Sequence, residues 1–191
     1  MRILVLGGSF NPVHVGHLIM AEEARDEFGY DLALLVPSLR PPHKSVSDEP
    51  GAERRVEMLR LAVGDDASLA VDPCEIERGG TSYTIDTLED LRSRYPIEGK
   101  LGLLIGDDLV PGFPSWRKPE ELEAAADLIC AHRWSADELP LPFRHRYAHN
   151  SLVRISSSMV RDRIAAGKPF RRLLHPEVFG YIVEKGLYGL R

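Results

Sequence analysis

The stretch Ile3-Leu4-Val5-Leu6-Gly7-Gly8-Ser9-Phe10-Asn11-Pro12-Val13-His14-Val15-Gly16-His17 decides how this chain is read. Its first four residues form a continuous apolar run, the pattern of a strand buried on both faces. Two glycines and a proline then break the strand, and residues 18–28 read as a helix closed by Gly29. A strand that opens through a glycine-rich turn into a helix gathers backbone N–H groups and a helix N-terminus about one point. Such a point binds anions, phosphate above all. His14 and His17, three residues apart at the helix start, can both face that anion.

Outward from this turn, apolar runs alternate with helical patterns. Residues 32–37, 69–72, 101–105, 128–131 and 152–155 read as further strands. Residues 53–63, a stretch opening at Thr84 and stopping before Pro96, 120–126, a helix from Ser156 to Ala166, and 176–185 read as helices. Residues 38–50 are proline-rich and read as a surface loop, residues 111–119 as irregular, and residues 135–151 show no periodicity. The expected fold is therefore α/β, a doubly wound and mostly parallel sheet covered on both faces, with a small C-terminal helical part from about 156 to 191. At 191 residues, one domain over 1–191 with a core of its own is expected.

Bulk properties narrow the function. A net charge of -5 argues against binding nucleic acid over the whole surface while leaving room for a local basic pocket. No eighteen-residue apolar stretch exists, so no membrane partner is expected. A strand at the very start leaves no room for a signal peptide. Cys74 and Cys130, the only cysteines, read as buried thiols in a reducing cytoplasm. Self-association is compatible with the sequence but is not specified by it.

The polar clusters share one property: each follows a strand. Gly8 to His17, Pro41-Pro42-His43-Lys44, Gly106-Asp107-Asp108, His132-Arg133-Trp134 and Ser156 to Arg161 all fall at strand ends. In a doubly wound sheet those ends converge on one edge, where ligands bind. The P-loop pattern, the Gly-x-Gly-x-x-Gly fingerprint and the Gly-x-Ser-x-Gly elbow are all absent. His14 and His17 find only His43 and scattered acids as further ligands, so no metal site is expected.

The turn Gly7 to His17 resembles the His-x-Gly-His signature of the nucleotidyltransferase superfamily, a Rossmann-like nucleotidyltransferase fold. Ile155-Ser156-Ser157-Ser158-Met159-Val160-Arg161 resembles its second motif. Pro41 to Lys44, Ser82-Tyr83-Thr84-Ile85-Asp86-Thr87-Leu88, and Ile105-Gly106-Asp107-Asp108 with Trp116 downstream are similar to the nicotinate-nucleotide adenylyltransferase family. The motifs keep their order over nearly the whole chain. Asn11 departs from the family's aspartate, and residues 137–150 match nothing in it.

The resemblance implies adenylyl transfer from ATP to nicotinate mononucleotide in NAD biosynthesis, with Mg2+ entering as the counter-ion of ATP. It implies catalytic roles for His14, His17, Lys44 and Arg161. ATP contacts are implied for Gly8, Ser9, Phe10, Gly16, Gly106, Asp108, Ile155, Ser156 and Ser157, and mononucleotide contacts for Ser82, Tyr83, Thr84, Trp116 and Arg133. Residue chemistry is compatible with these roles. Imidazoles and backbone N–H groups donate to phosphates, Lys44 supplies a point charge, and Arg161 sits in a helix that opens on serines. Phosphopantetheine or nicotinamide mononucleotide as acceptor, and a noncatalytic nucleotide sensor, are the alternatives weighed. The stretches 82–88 and 41–44 disfavour phosphopantetheine, and both histidines with Lys44 and Arg161 disfavour a sensor.

Overall fold

The computed structural model describes residues 1–42 and 50–190. Six parallel strands form one sheet: β1 (Ile3–Gly8), β2 (Leu32–Pro37), β3 (Leu69–Val71), β4 (Leu101–Gly106), β5 (Ala126–Ala131) and β6 (His145–Tyr147), in the order β3-β2-β1-β4-β5-β6. This is the doubly wound order, and it reverses between β1 and β4. The central strands β1, β2 and β4 are apolar throughout because both faces are covered. Leu4 and Leu6 of β1 enter one core, while Ile3 and Val5 enter the other.

The first core is roofed by α1 (Val15–Glu27), α2 (Ala52–Val63), α6 (Ser157–Ala165) and α7 (Pro176–Lys185), which contribute Leu18, Ala21, Leu59, Val160, Val178 and Ile182. The second lies under α3 (Cys74–Arg78), α4 (Thr84–Arg94) and α5 (Pro119–Ala125), with Cys74, Ile85, Leu88, Leu91 and Leu122. Among the described residues no helix is long and apolar enough to cross a membrane.

Three local expectations are corrected. Residues 152–155 form no strand. The sixth strand is instead His145–Tyr147, inside the stretch that shows no periodicity. Residues 107–115, read in part as irregular, form a 3-10 helix. Pro111 and Pro114 lack the N–H that an α-helix would need but tolerate short i→i+3 turns. Finally, α3, only five residues long, is too brief to show a period.

Candidate active site

β1 ends at Gly8, and the chain turns through Ser9 to Val13 before α1 begins. Phe10 occupies this turn at φ 44, a left-handed conformation unusual for an aromatic residue, and is 1% exposed. A Cβ on Gly8 would meet the Phe10 ring at 3.1 Å, and one on Gly16 would meet His14 Nδ1 at 3.2 Å and Val153 Cγ1 at 3.3 Å. Both glycines thus make room for the protein's own side chains, which fold the turn tightly.

His14 precedes the first turn of α1, and its ring stacks on that of His17 at 3.6 Å between centroids. Phe10 meets His17 edge-on at 5.0 Å. The His14 backbone N–H donates to His17 Nδ1 at 3.2 Å, which puts the proton of a neutral His17 ring on Nε2. His14 is 2% exposed, and neither of its ring nitrogens has a hydrogen-bond partner among the described residues. Burial first, and then the positive charge of Arg133, lower its pKa to about 3. His14 is therefore neutral in the unliganded protein, with one ring N–H to donate.

The second motif is stitched onto this turn. Ser156 caps α6 by accepting from the Met159 N–H at 3.1 Å, and Ser157 Oγ donates to the Pro12 carbonyl at 2.9 Å. Arg161 Nη1 donates to the Asn11 carbonyl at 2.6 Å, and its Nη2 donates to Ser158 Oγ at 3.3 Å. Asn11 Oδ1 accepts from the Tyr188 hydroxyl at 2.7 Å. The amide at position 11 thus anchors the C-terminal segment. Ile155 packs partly buried against the first core just before the cap.

Across the switch point, Gly106 ends β4. A Cβ there would meet Arg133 Cδ and Asp108 Oδ1, each at 2.4 Å, so only glycine lets these two side chains approach. Arg133 Nη1 pairs with Asp108 Oδ2 at 2.9 Å. Asp107 is buried, and its Oδ2 accepts from the N–H groups of Arg133 at 3.0 Å and Trp134 at 3.3 Å, fixing the turn after β5. Asn150 secures the same turn. Its Oδ1 accepts from the His132 N–H and its Nδ2 donates to the His132 carbonyl, both at 2.8 Å.

A third group gathers at the start of α4. Ser82 Oγ accepts from the N–H groups of Leu39, at 2.9 Å, and Arg40, at 3.2 Å, binding the α4 start to the chain that leaves β2. Tyr83 and Thr84 open the helix, and Arg117 lies 4.5 Å over the Tyr83 ring. Trp116 ends the 3-10 helix, packed on Phe113 at 5.0 Å. Asp86 faces Arg117 at 3.9 Å, an ion pair within the protein. His43 and Lys44 lie outside the described residues.

The structure therefore brings His14, His17, Ser157 and Arg161 into one cluster. Gly106, Asp108 and Arg133 form a second group across the crevice, near enough for Arg133 to act on His14. Ser82 to Thr84 with Trp116 form a third, tied to the turn through residues 38–40. Sequence reasoning missed Arg55, Tyr188 and Asn150, and it named Asp107 only as part of a polar cluster without a role. For Arg55 the available signal was its place four residues before Leu59, at the edge of the buried face of α2. Among the described residues, no group of three or more His, Cys, Asp or Glu is placed to hold a metal ion.

A parallel sheet with a histidine turn at its switch point defines the class, and residues 5–163 match the family described as cytidylyltransferase-like. A relative from Borrelia garinii subsp. bavariensis, described as a probable nicotinate-nucleotide adenylyltransferase, is 39% identical over 188 residues, covering 98% of this chain and 95% of its own. One from Streptococcus pyogenes serotype M1 with the same description is 36% identical over 187 residues, covering 98% and 88%. The solved Plasmodium falciparum nicotinic acid mononucleotide adenylyltransferase complexed with NaAD shares the fold, with a TM-score of 0.78 at 19% identity, covering 100% of this chain and 98% of its own. The chain belongs to the cytidylyltransferase-like family and, within it, to the nicotinate-nucleotide adenylyltransferases.

Proposed function

We propose that this chain transfers the adenylyl group of ATP to nicotinate mononucleotide, giving nicotinate adenine dinucleotide and pyrophosphate in NAD biosynthesis. The observation that carries the reading is the joining of the two motifs: Ser157 and Arg161 bind the carbonyls of Pro12 and Asn11 directly beside the stacked histidines. The whole-chain similarity to enzymes of that name supports the choice of substrate.

In this reaction a phosphate oxygen of the mononucleotide forms a bond to the α-phosphorus of ATP. The bond from that phosphorus to the bridging oxygen breaks, and its electron pair leaves with pyrophosphate. A phosphate monoester has a second pKa of about 6, so the attacking group is already largely dianionic and needs no general base. The protein's task is alignment and stabilisation of charge on the leaving group.

In this reading His14 and His17 donate N–H bonds to the departing phosphates, and the N–H groups of the Gly8-Ser9-Phe10 turn assist. Arg161, one turn into α6, adds charge beside them. Lys44 is assigned to the same task by its motif alone. Asp108 is assigned to the ATP ribose and Arg133 to the phosphates, an assignment that its closeness to His14 supports. The N-terminus of α4 at Tyr83 and Thr84 is assigned to the nicotinate carboxylate and Trp116 to the pyridine ring. Ser82 acts by fixing residues 39 and 40, since its oxygen already accepts two N–H bonds.

Enzymes of this family generally use a divalent metal. The described residues do not fit a protein-held ion, so the assigned Mg2+ travels with ATP on phosphate oxygens and water. Burial pushes the thiols of both Cys74 and Cys130 up to about 12, which leaves no thiolate for chemistry; a cytoplasmic setting is assigned with the reaction.

Pyrophosphate release with ATP, Mg2+ and either nicotinate or nicotinamide mononucleotide tests the reading. Release with the acid at a rate at least about tenfold above the amide is expected, the difference one buried charged contact can supply. Equal rates would remove the acid assignment, and no release with either would remove the reaction.

A further inference from the structure

Arg55 lies on α2, outside every motif assigned above. It is 2% exposed, and its guanidinium reaches two backbone carbonyls: Nη1 donates to Ser9 O at 2.6 Å and Nη2 donates to Ser38 O at 2.7 Å. Among the described residues no carboxylate lies within ion-pair distance of it. Burying a guanidinium costs several kcal/mol of hydration, about as much as its best hydrogen bonds return, so core stability alone does not account for it. Its partners do point to a role. They are the residue that follows β1, where the turn into α1 begins, and the residue that follows β2, the strand beside it.

The geometry of the turn shows what those bonds control. The Gly8 carbonyl accepts from the Ser38 N–H at 2.8 Å, and the Ser9 carbonyl accepts from Arg55. Both peptides are trans, and in a trans peptide the N–H points opposite to the carbonyl. With these carbonyls drawn toward β2 and α2, the N–H groups of Ser9 and Phe10 point away from β2 and α2. Phe10 holds φ 44, which persists only where surrounding contacts over-determine it. Arg55 fixes the peptide immediately before it, and the Phe10 ring is trapped over Gly8.

We propose that Arg55 is a positioning residue of the phosphate site, holding the Ser9–Phe10 peptide so that the Ser9 and Phe10 N–H groups face the pyrophosphate that ATP releases. The inference rests on the adenylyl-transfer reading, and its test is separable from it. Calorimetric titration of pyrophosphate reads the site without turnover, while kcat and both KM values read the reaction. Arg55→Met, which removes both donors, is expected to weaken pyrophosphate binding at least tenfold and to lower kcat about a hundredfold, the loss typical of a misplaced oxyanion donor. The KM for nicotinate mononucleotide is expected to rise less than pyrophosphate affinity falls, because Arg55 reaches the α4 start assigned to that substrate only through Ser38 and its neighbours. Arg55→Lys, which keeps the charge and can reach a carbonyl, is expected to recover at least part of both losses.

Folded variants with wild-type pyrophosphate affinity would overturn the proposal. So would an equal loss toward both substrates. If Arg55→Met does not fold, Arg55→Lys decides. Failure of both to fold would make Arg55 a stability residue and overturn the positioning role. A wild-type protein that binds pyrophosphate but releases none with either mononucleotide would sink the reaction and leave the positioning role standing.

Discussion

Burying an imidazole beside a guanidinium takes away its proton, and at His14 this makes the stability of the fold depend on pH. In the unfolded chain His14 has its ordinary pKa of 6.5, and in the folded protein burial and Arg133 lower it to about 3. Between those values the unfolded chain binds one more proton than the folded one, so stability falls as pH drops from 6.5 toward 3. Above 6.5 neither state is protonated and the penalty vanishes. The loss at the acid end is on the order of a few kcal/mol, since each tenfold change in proton affinity is worth about 1.4 kcal/mol. Urea unfolding of wild type and His14→Asn between pH 7 and 4 should show a steeper acid decline for the wild type. Parallel profiles would contradict a proton-free His14. At this scale the sequence carried much of the site, because both histidines, Ser157 and Arg161 announce themselves by type and spacing. Arg55 did not, since an arginine in an amphipathic helix looks solvent-facing until its carbonyl partners are known. Gly8 and Gly16 were legible as parts of the turn, and the structure gives them a further duty. They yield space to Phe10 and His14, which are the protein's own side chains.

Elements were legible wherever a period had length to develop. The first five strands and the longer helices follow from apolar runs and from stops at Gly29 and Pro96. The sixth strand was not. His145-Arg146-Tyr147 is three residues long, lies at the sheet edge, and buries only Tyr147, so it has no alternation to read. Leu152-Val153-Arg154-Ile155 has the better strand pattern but no neighbour with which to pair. Its Val153 instead packs at Gly16, and Ile155 leads into α6. Sheet membership is thus set by a partner that composition does not reveal. What 135–151 contributes is the edge strand and, beyond it, Asn150, whose amide extends strand-like pairing to His132. Asn150→Ala would leave a buried N–H and a carbonyl unpaired at the turn carrying Arg133. The expected cost is about 2–3 kcal/mol, a fall in Tm of about 4–10 °C for a chain of this size. A thermal shift under about 1 °C would show that water replaces the amide without penalty.

At the scale of the molecule, the C-terminal segment is part of what holds the phosphate turn. Val160, Ile164, Val178, Ile182, Leu187 and Tyr188 lie in the same core as Leu4 and Leu6 of β1 and Leu59 of α2. The Tyr188 hydroxyl closes on Asn11, and Arg161 on the Asn11 carbonyl, so the last helices grip the first turn. Detaching residues 156–190 would uncover the part of the first core that α6 and α7 roof, at about 25 cal/mol for each Å² uncovered. Such a part cannot open alone at small cost, and we propose that the chain unfolds as one cooperative unit despite its helical appendage. Two probes separate the possibilities. Trp116 and Trp134 both stand after strands on the β4–β5 side, so their fluorescence reports on that half, whereas far-ultraviolet circular dichroism reports helices on both faces. Coincident urea transitions are expected from the two signals, with a single midpoint. Helix loss at lower urea than the tryptophan change would identify residues 156–190 as a separate unit. Tyr188→Phe sharpens the comparison, because it removes one buried hydrogen bond and leaves the ring in place. A common shift of both transitions is expected, by about 1 kcal/mol in unfolding free energy, together with a lower kcat, since the proposed reaction is assigned to the turn that Asn11 shapes. A shift in one transition alone would show that the grip is local.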